Sequence, residues 1–79
     1  MSTTNTGEIS VIILDDDRDF LEGIAGFLRF YQNISVVGLF VNGFQALEWL
    51  QLNEVDVVLC DVRMPEMSGL EFLEEAKLR

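Results

Sequence analysis

Six residues, Ile9 to Leu14 (ISVIIL), make an almost unbroken run of β-branched and aliphatic side chains, and three aspartates stop it. So short an apolar run, with no polar residue on alternate positions, marks a strand buried on both faces. A strand of that kind needs cover above and below, so the chain must supply helices to both sides of a sheet.

The rest of the sequence supplies them in strict alternation. Phe20, Ile24, Phe27, Leu28 and Tyr31 recur at helical spacing and lie on one face of a first helix. Asp17 is placed to cap its N-terminus, and Asp19 favours its first turn. Gly23 and Gly26 sit inside that helix at a cost of roughly 1 kcal/mol each against Ala, which suggests a close approach to the sheet. Asn33 to Phe40 reads as a second strand. Asn42 then caps a shorter helix carrying Phe44, Ala46, Leu47 and Leu50, with Trp49 at the edge of its apolar face. Val55 to Cys60 reads as a third strand. Ser68 and Glu71 form a capping box for a third helix, continued by Leu70, Leu73 and Ala76. The order β-α-β-α-β-α implies α/β architecture with a parallel sheet and right-handed crossovers. Residues 1–8 are polar and read as a loose tail, leaving 9–79 as one folded unit.

Composition narrows the chemistry. The 79 residues hold 14 acidic and 5 basic side chains, a net charge of -9, which argues against nucleic acid as a direct partner. With no histidine, His-based catalysis and His metal ligation are out of reach. The single cysteine, Cys60, has no internal partner and reads as a small buried apolar residue. No signal peptide or membrane-length apolar run occurs, and a reducing, cytoplasmic setting is expected.

In a parallel sheet every strand ends on the same rim. With strand one central, in order 2-1-3, Asp15 and Asp16 after strand one meet Asp61 after strand three, where the crossovers part. Three carboxylates so close repel one another, and a divalent cation removes the conflict. Hard oxygen ligands at a solvent-facing rim suit Mg²⁺. A carboxylate also serves as a nucleophile towards phosphorus. Asp61, alone at its strand end, is the better acceptor, and the Asp15/Asp16 pair the better metal holder. Asp17 and Asp19 are most simply helix-start charges, and Glu66, Glu71, Glu74 and Glu75 solvated helix charge.

These residues resemble the receiver domain of two-component response regulators. VIILDDD is similar to that family's acidic pair after strand one. DVRMPEMSGLEFL is similar to its phosphorylation segment. ISVVGLFVNGFQALEWL resembles strand two and helix two of the subgroup that carries C-terminal helix-turn-helix DNA-binding domains. The resemblance implies a flavodoxin-like fold, with Asp61 as acceptor of a phosphoryl group from a sensor histidine kinase. It implies that Asp16 binds Mg²⁺ directly, Asp15 mainly through water, and Arg63 through its backbone carbonyl. The Arg63 side chain would lie where the family tunes phosphate lifetime, Met64 and Pro65 would shape the loop, and Gly69 would let the next helix start close by.

The family's sheet has five strands in order 2-1-3-4-5, and three are found here. The Ser/Thr and Lys that the family carries on its later strands have no counterpart in these 79 residues. The expectation is therefore a partial receiver domain, impaired in switching, with weak Mg²⁺ binding and slow phosphorylation. An uncovered strand-three edge and exposed apolar faces lead to expected self-association. The competing reading is a receiver-like interaction module that is not phosphorylated. A Mg²⁺-dependent phosphatase would need an acid/base Asp two residues past the nucleophile, where Arg63 stands.

Overall fold

β1 (Ile9–Leu14) occupies the middle of a three-stranded sheet, order β2-β1-β3, and pairs in parallel with both neighbours. The computed structural model describes residues 8–61 and 69–77. Within them follow α1 (Arg18–Leu28), β2 (Ile34–Phe40), α2 (Gly43–Leu50), β3 (Val57–Cys60) and α3 (Gly69–Lys77). The alternation read from the sequence is the alternation observed. Of the expected tail, residues 1–7 lie outside the described residues, and Glu8 directly precedes β1.

The central strand explains the two-layered core. Side chains alternate across a strand, so Ile12 and Leu14 share one face and Val11 and Ile13 the other. Ile12 and Leu14 pack with Ala46 and Leu47 of α2 and Phe72 of α3. Val11 and Ile13 pack with Leu21 and Ala25 of α1. All four strand residues are at most 5% exposed, which is why the run carries no polar alternation.

α1 departs from expectation in its orientation. Asp17 caps it, its carboxylate accepting from the Phe20 N–H at 3.2 Å. Its buried residues are Leu21 and Ala25, while Phe20, Phe27 and Tyr31 are exposed. At 100° per residue the apolar side chains of this helix cover an arc of roughly 160°. The sheet takes the Leu21/Ala25 side of that arc, Ile24 and Leu28 pack at the margin of that core, and Phe20, Phe27 and Tyr31 overhang it. Phe27 and Tyr31 meet edge to face, 5.6 Å between ring centres. Nothing lies within 4 Å of where a Cβ would stand at Gly23 or Gly26, so neither glycine marks a close approach to the sheet.

β2 begins one residue later than expected, with Asn33 still accepting from the Ile9 N–H at 2.7 Å. Its pairing with β1 shifts by one residue, Val11 opposite Val36 and Ile12 opposite Gly38, so Val37 is the extra residue of a bulge. At Gly38 a Cβ would come 2.8 Å from Phe40 Cε2 and 3.3 Å from Ile12 Cγ2. The Phe40 ring thus lies over the glycine, and it meets Trp49 at 5.9 Å between centres.

α2 is capped by Asn42, which accepts from the Gln45 N–H at 2.9 Å. Ala46 and Leu47 are buried, Trp49 and Leu50 pack at the core's margin, and Phe44 is exposed. β3 starts at Val57 rather than Val55, although Val55 still packs against the core. Its outer edge pairs with no described strand. In α3 the fully buried residue is Phe72, while Ser68 of the expected capping box, and the Leu70 and Leu73 side chains, lie outside the described residues.

Candidate metal and phosphoryl site

The sheet carries both acidic segments to one rim. Past the end of β1, the Asp15 N–H donates to the Phe40 carbonyl at 3.0 Å. Past the end of β3, the Asp61 N–H donates to the Leu14 carbonyl at 3.0 Å. The ladder therefore holds both backbones one residue beyond the strands, side by side. The Asp15 carboxylate turns back to accept from the Asp17 N–H at 2.9 Å, which fixes one of its oxygens. Asp15, Asp16 and Asp61 each offer a carboxylate oxygen, and these atoms lie within 4.8 Å of one another.

Electrostatics follow from this crowding. Partial burial raises the Asp15 pKa above the ordinary aspartate value, 3.8. The hydrogen bond from Asp17 opposes the rise, and the charges of Asp61 and Asp16 add to it. Cys60, half-buried beside Asp61, has its thiol pKa raised too, first by burial and then by the Asp61 and Asp15 charges.

The donor set suits a small hard cation. Mg²⁺ holds oxygens at about 2.1 Å, so two of its ligands lie at most about 4.2 Å apart. Carboxylate oxygens already within 4.8 Å need only small side-chain rotations, or an intervening water, to reach that spacing. Two half-buried carboxylates and one exposed leave the outer side of the notch open to solvent.

Beside the notch runs an apolar groove of about 430 Å³, lined by Phe20 and Ile24 of α1, Ile13 of β1 and Leu59 of β3, with Asp15 and Asp61 at its rim. Phe20 and Ile24 form the α1 wall of this groove. Gly69 is the first residue of α3. Arg63, Met64 and Pro65, expected to complete the site, lie outside the described residues. Sequence reasoning missed Phe72, which sits between the expected Leu70 and Leu73. It also missed the hydrogen-bonded pair Ser10, inside β1, and Asp56, just before β3, at the far end of the strands.

A parallel sheet of this order, with carboxylates gathered at adjacent strand tips where the crossovers part, defines a flavodoxin-like α/β protein with an acidic rim. The chain belongs to the response regulator receiver domain family, whose sequence pattern matches residues 11–79. It is 41% identical over 63 residues to the response regulator UvrY of Escherichia coli K12, covering 80% of this chain and 29% of that protein. It is 38% identical over 73 residues to a protein-glutamate methylesterase/protein-glutamine glutaminase of Treponema pallidum, covering 92% of this chain and 18% of that protein. Among solved structures, the receiver domain of the putative response regulator NarL from Mycobacterium tuberculosis superposes with a TM-score of 0.82 at 32% identity, covering 90% of this chain and 57% of that one. The isolated receiver domain of RcsB from Salmonella enterica serovar Typhimurium, solved with the phosphomimetic BeF3-, gives 0.81 at 27% identity and covers 90% and 54%. The chain therefore spans about half of these receiver structures and a smaller share of the whole regulators. No helix among the described residues is long and apolar enough to cross a membrane.

Proposed function

We propose that this chain is a phosphoacceptor module of two-component signalling, with Asp61 taking a phosphoryl group from the phosphohistidine of a sensor kinase. The convergence of Asp15, Asp16 and Asp61 within 4.8 Å carries this reading. An Asp61 carboxylate oxygen forms the bond to phosphorus while the phosphorus–nitrogen bond of the kinase imidazole breaks, and the imidazole nitrogen leaves with its electron pair. Asp15, Asp16, Asp61 and the Arg63 carbonyl are the proposed Mg²⁺ ligands, with Met64, Pro65 and Gly69 shaping the loop and the helix start. The metal, when bound, offsets the charge that otherwise keeps a phosphate away from three carboxylates. The module signals rather than turning over a separate substrate. A cytoplasmic setting is proposed with the kinase as partner, and its strong negative charge disfavours direct contact with DNA. We take residues 9–79 as the receiver unit that carries this chemistry.

The exposed side chains Val57 and Leu59 on β3, and Phe20 on α1, favour a second reading, a receiver-like interaction module. Incubation with acetyl phosphate and Mg²⁺, followed by intact-mass measurement, separates the two. The phosphoacceptor reading expects a gain of one phosphoryl group that EDTA or Asp61→Asn abolishes. An unchanged mass after hours, with Mg²⁺ bound, contradicts it and leaves the interaction module.

A further inference from the structure

We propose that Ser10 and Asp56 form a register clamp that positions Asp61 beside Asp15 and Asp16 from the opposite end of the β1–β3 ladder. The inference rests on the reading of that acidic notch as a cation site. Asp56 Oδ2 accepts from the Ser10 N–H at 2.8 Å and from the Ser10 hydroxyl at 3.1 Å. In return the Asp56 N–H donates to the Ser10 Oγ at 3.0 Å and to the Ser10 carbonyl at 3.1 Å. Both partners of the clamp therefore engage through side chain and backbone together.

The ladder needs such a device. Its four pairs, Val11 with Val57, Ile12 with Val58, Ile13 with Leu59 and Leu14 with Cys60, are all apolar. A one-residue slip exchanges the two faces of a strand, so it is resisted by a difference between those faces, and these pairs are apolar on both. A one-residue slip would set Val58, Leu59 and Cys60 against Val11, Ile12 and Ile13, and only Asp61 opposite Leu14 would object. That slip would move Asp61 by about 3.3 Å and turn its carboxylate to the other face of the sheet. β3 is also short and paired on one side only among the described strands, so few ladder bonds resist sliding. Ser10 and Asp56 lie five residues upstream of Asp15 and Asp61, and they are the polar residues that tell one register from the next. The pair is solvent-accessible, so its bonds add modestly to stability. Its effect is on where Asp61 ends up.

The test uses the whole chain. In Asp56→Ala, backbone amide cross-strand contacts by NMR report the β1–β3 register without metal, and calorimetry reports Mg²⁺ affinity. The expected result is loss of the Val11–Val57 contact pattern and a clear loss of Mg²⁺ affinity, because a slipped register takes the Asp61 carboxylate away from Asp15 and Asp16. Asp56→Asn, which keeps an oxygen to accept from Ser10, should rescue both. Asn42→Ala, which removes the α2 cap elsewhere in the fold, should weaken stability and leave Mg²⁺ affinity unchanged. A folded Asp56→Ala protein with the original contacts and affinity overturns the clamp. If that variant fails to fold, Ser10→Ala is read by the same two measurements, and unchanged contacts and affinity there overturn the clamp equally. Should the unaltered chain bind no Mg²⁺, the notch reading fails, and the register contacts alone still decide the clamp.

Discussion

Asp15 shows most plainly what the notch costs its own fold. Its pKa is raised in the folded chain, chiefly by partial burial, so the native state holds its proton more firmly than the unfolded chain does. The sign follows from linkage: between the ordinary value of 3.8 and the raised folded value, the native state binds more protons, so stability falls as pH climbs through that window. Without metal, Asp15→Asn should therefore melt at a higher temperature than the unaltered chain at neutral pH, and the two should converge below the window. The asparagine keeps an oxygen for the Asp17 N–H, so the comparison isolates charge. Thermal melts in EDTA across pH check it, and an Asn variant that melts lower at neutral pH speaks against a charge penalty at Asp15. At this scale the meeting of Asp15, Asp16 and Asp61 was legible in the sequence. An aspartate directly after each of two apolar strands sits at a rim, and strand order decides whether the two meet. The Ser10–Asp56 pair was not legible, because a serine inside an apolar run and an aspartate before one carry no sign of each other until the register is known.

Elements were read better than their orientations. Apolar runs, two of them stopped by aspartate, gave three strands, and Asp17 and Asn42 gave two caps that the structure bears out. The face of α1 was misjudged because period alone cannot choose within a 160°-wide apolar arc, roughly two helical stripes broad. The sheet selects the side with Leu21 and small Ala25, which lets the helix sit low over Val11 and Ile13. The β2 bulge was likewise silent, since an extra valine in ISVVGLF looks like any other strand residue. Gly38 is the element-scale test. Gly38→Ala would drive a methyl to 2.8 Å from the Phe40 ring, which Trp49 and Ile12 hold in place. The expected cost is about 1–3 kcal/mol, the usual range for overpacking. It should come with a shift in Trp49 fluorescence. Chemical denaturation followed by that fluorescence checks both, and an unchanged midpoint and emission would show that the ring moves away at little cost.

At the scale of the whole molecule, exposed apolar surface and negative charge oppose each other. The outer edge of β3, the groove beside it and the stripe of α1 invite contact with a second copy. A net charge of -9 on each copy resists it. Self-association should therefore strengthen as salt rises and screens the charge, and Val57→Lys on the open edge should weaken it. Sedimentation velocity at low and high salt checks this prediction. A monomer at every salt concentration, or dimers indifferent to Val57→Lys, would remove β3 as the contact.

The proposed function depends on Asp15, Asp16 and Asp61 acting as one cation site. Titration with Mn²⁺ as a paramagnetic stand-in for Mg²⁺, read by NMR on the full chain, addresses that directly. The amide signals of Asp15, Asp16 and Asp61 should broaden first, at the lowest metal added. Ser10 and Asp56, about 16 Å away along the strands, should broaden later, and excess Mg²⁺ should restore every signal. Broadening that begins instead at the acidic residues of α3, or that Mg²⁺ cannot reverse, would contradict a single shared site.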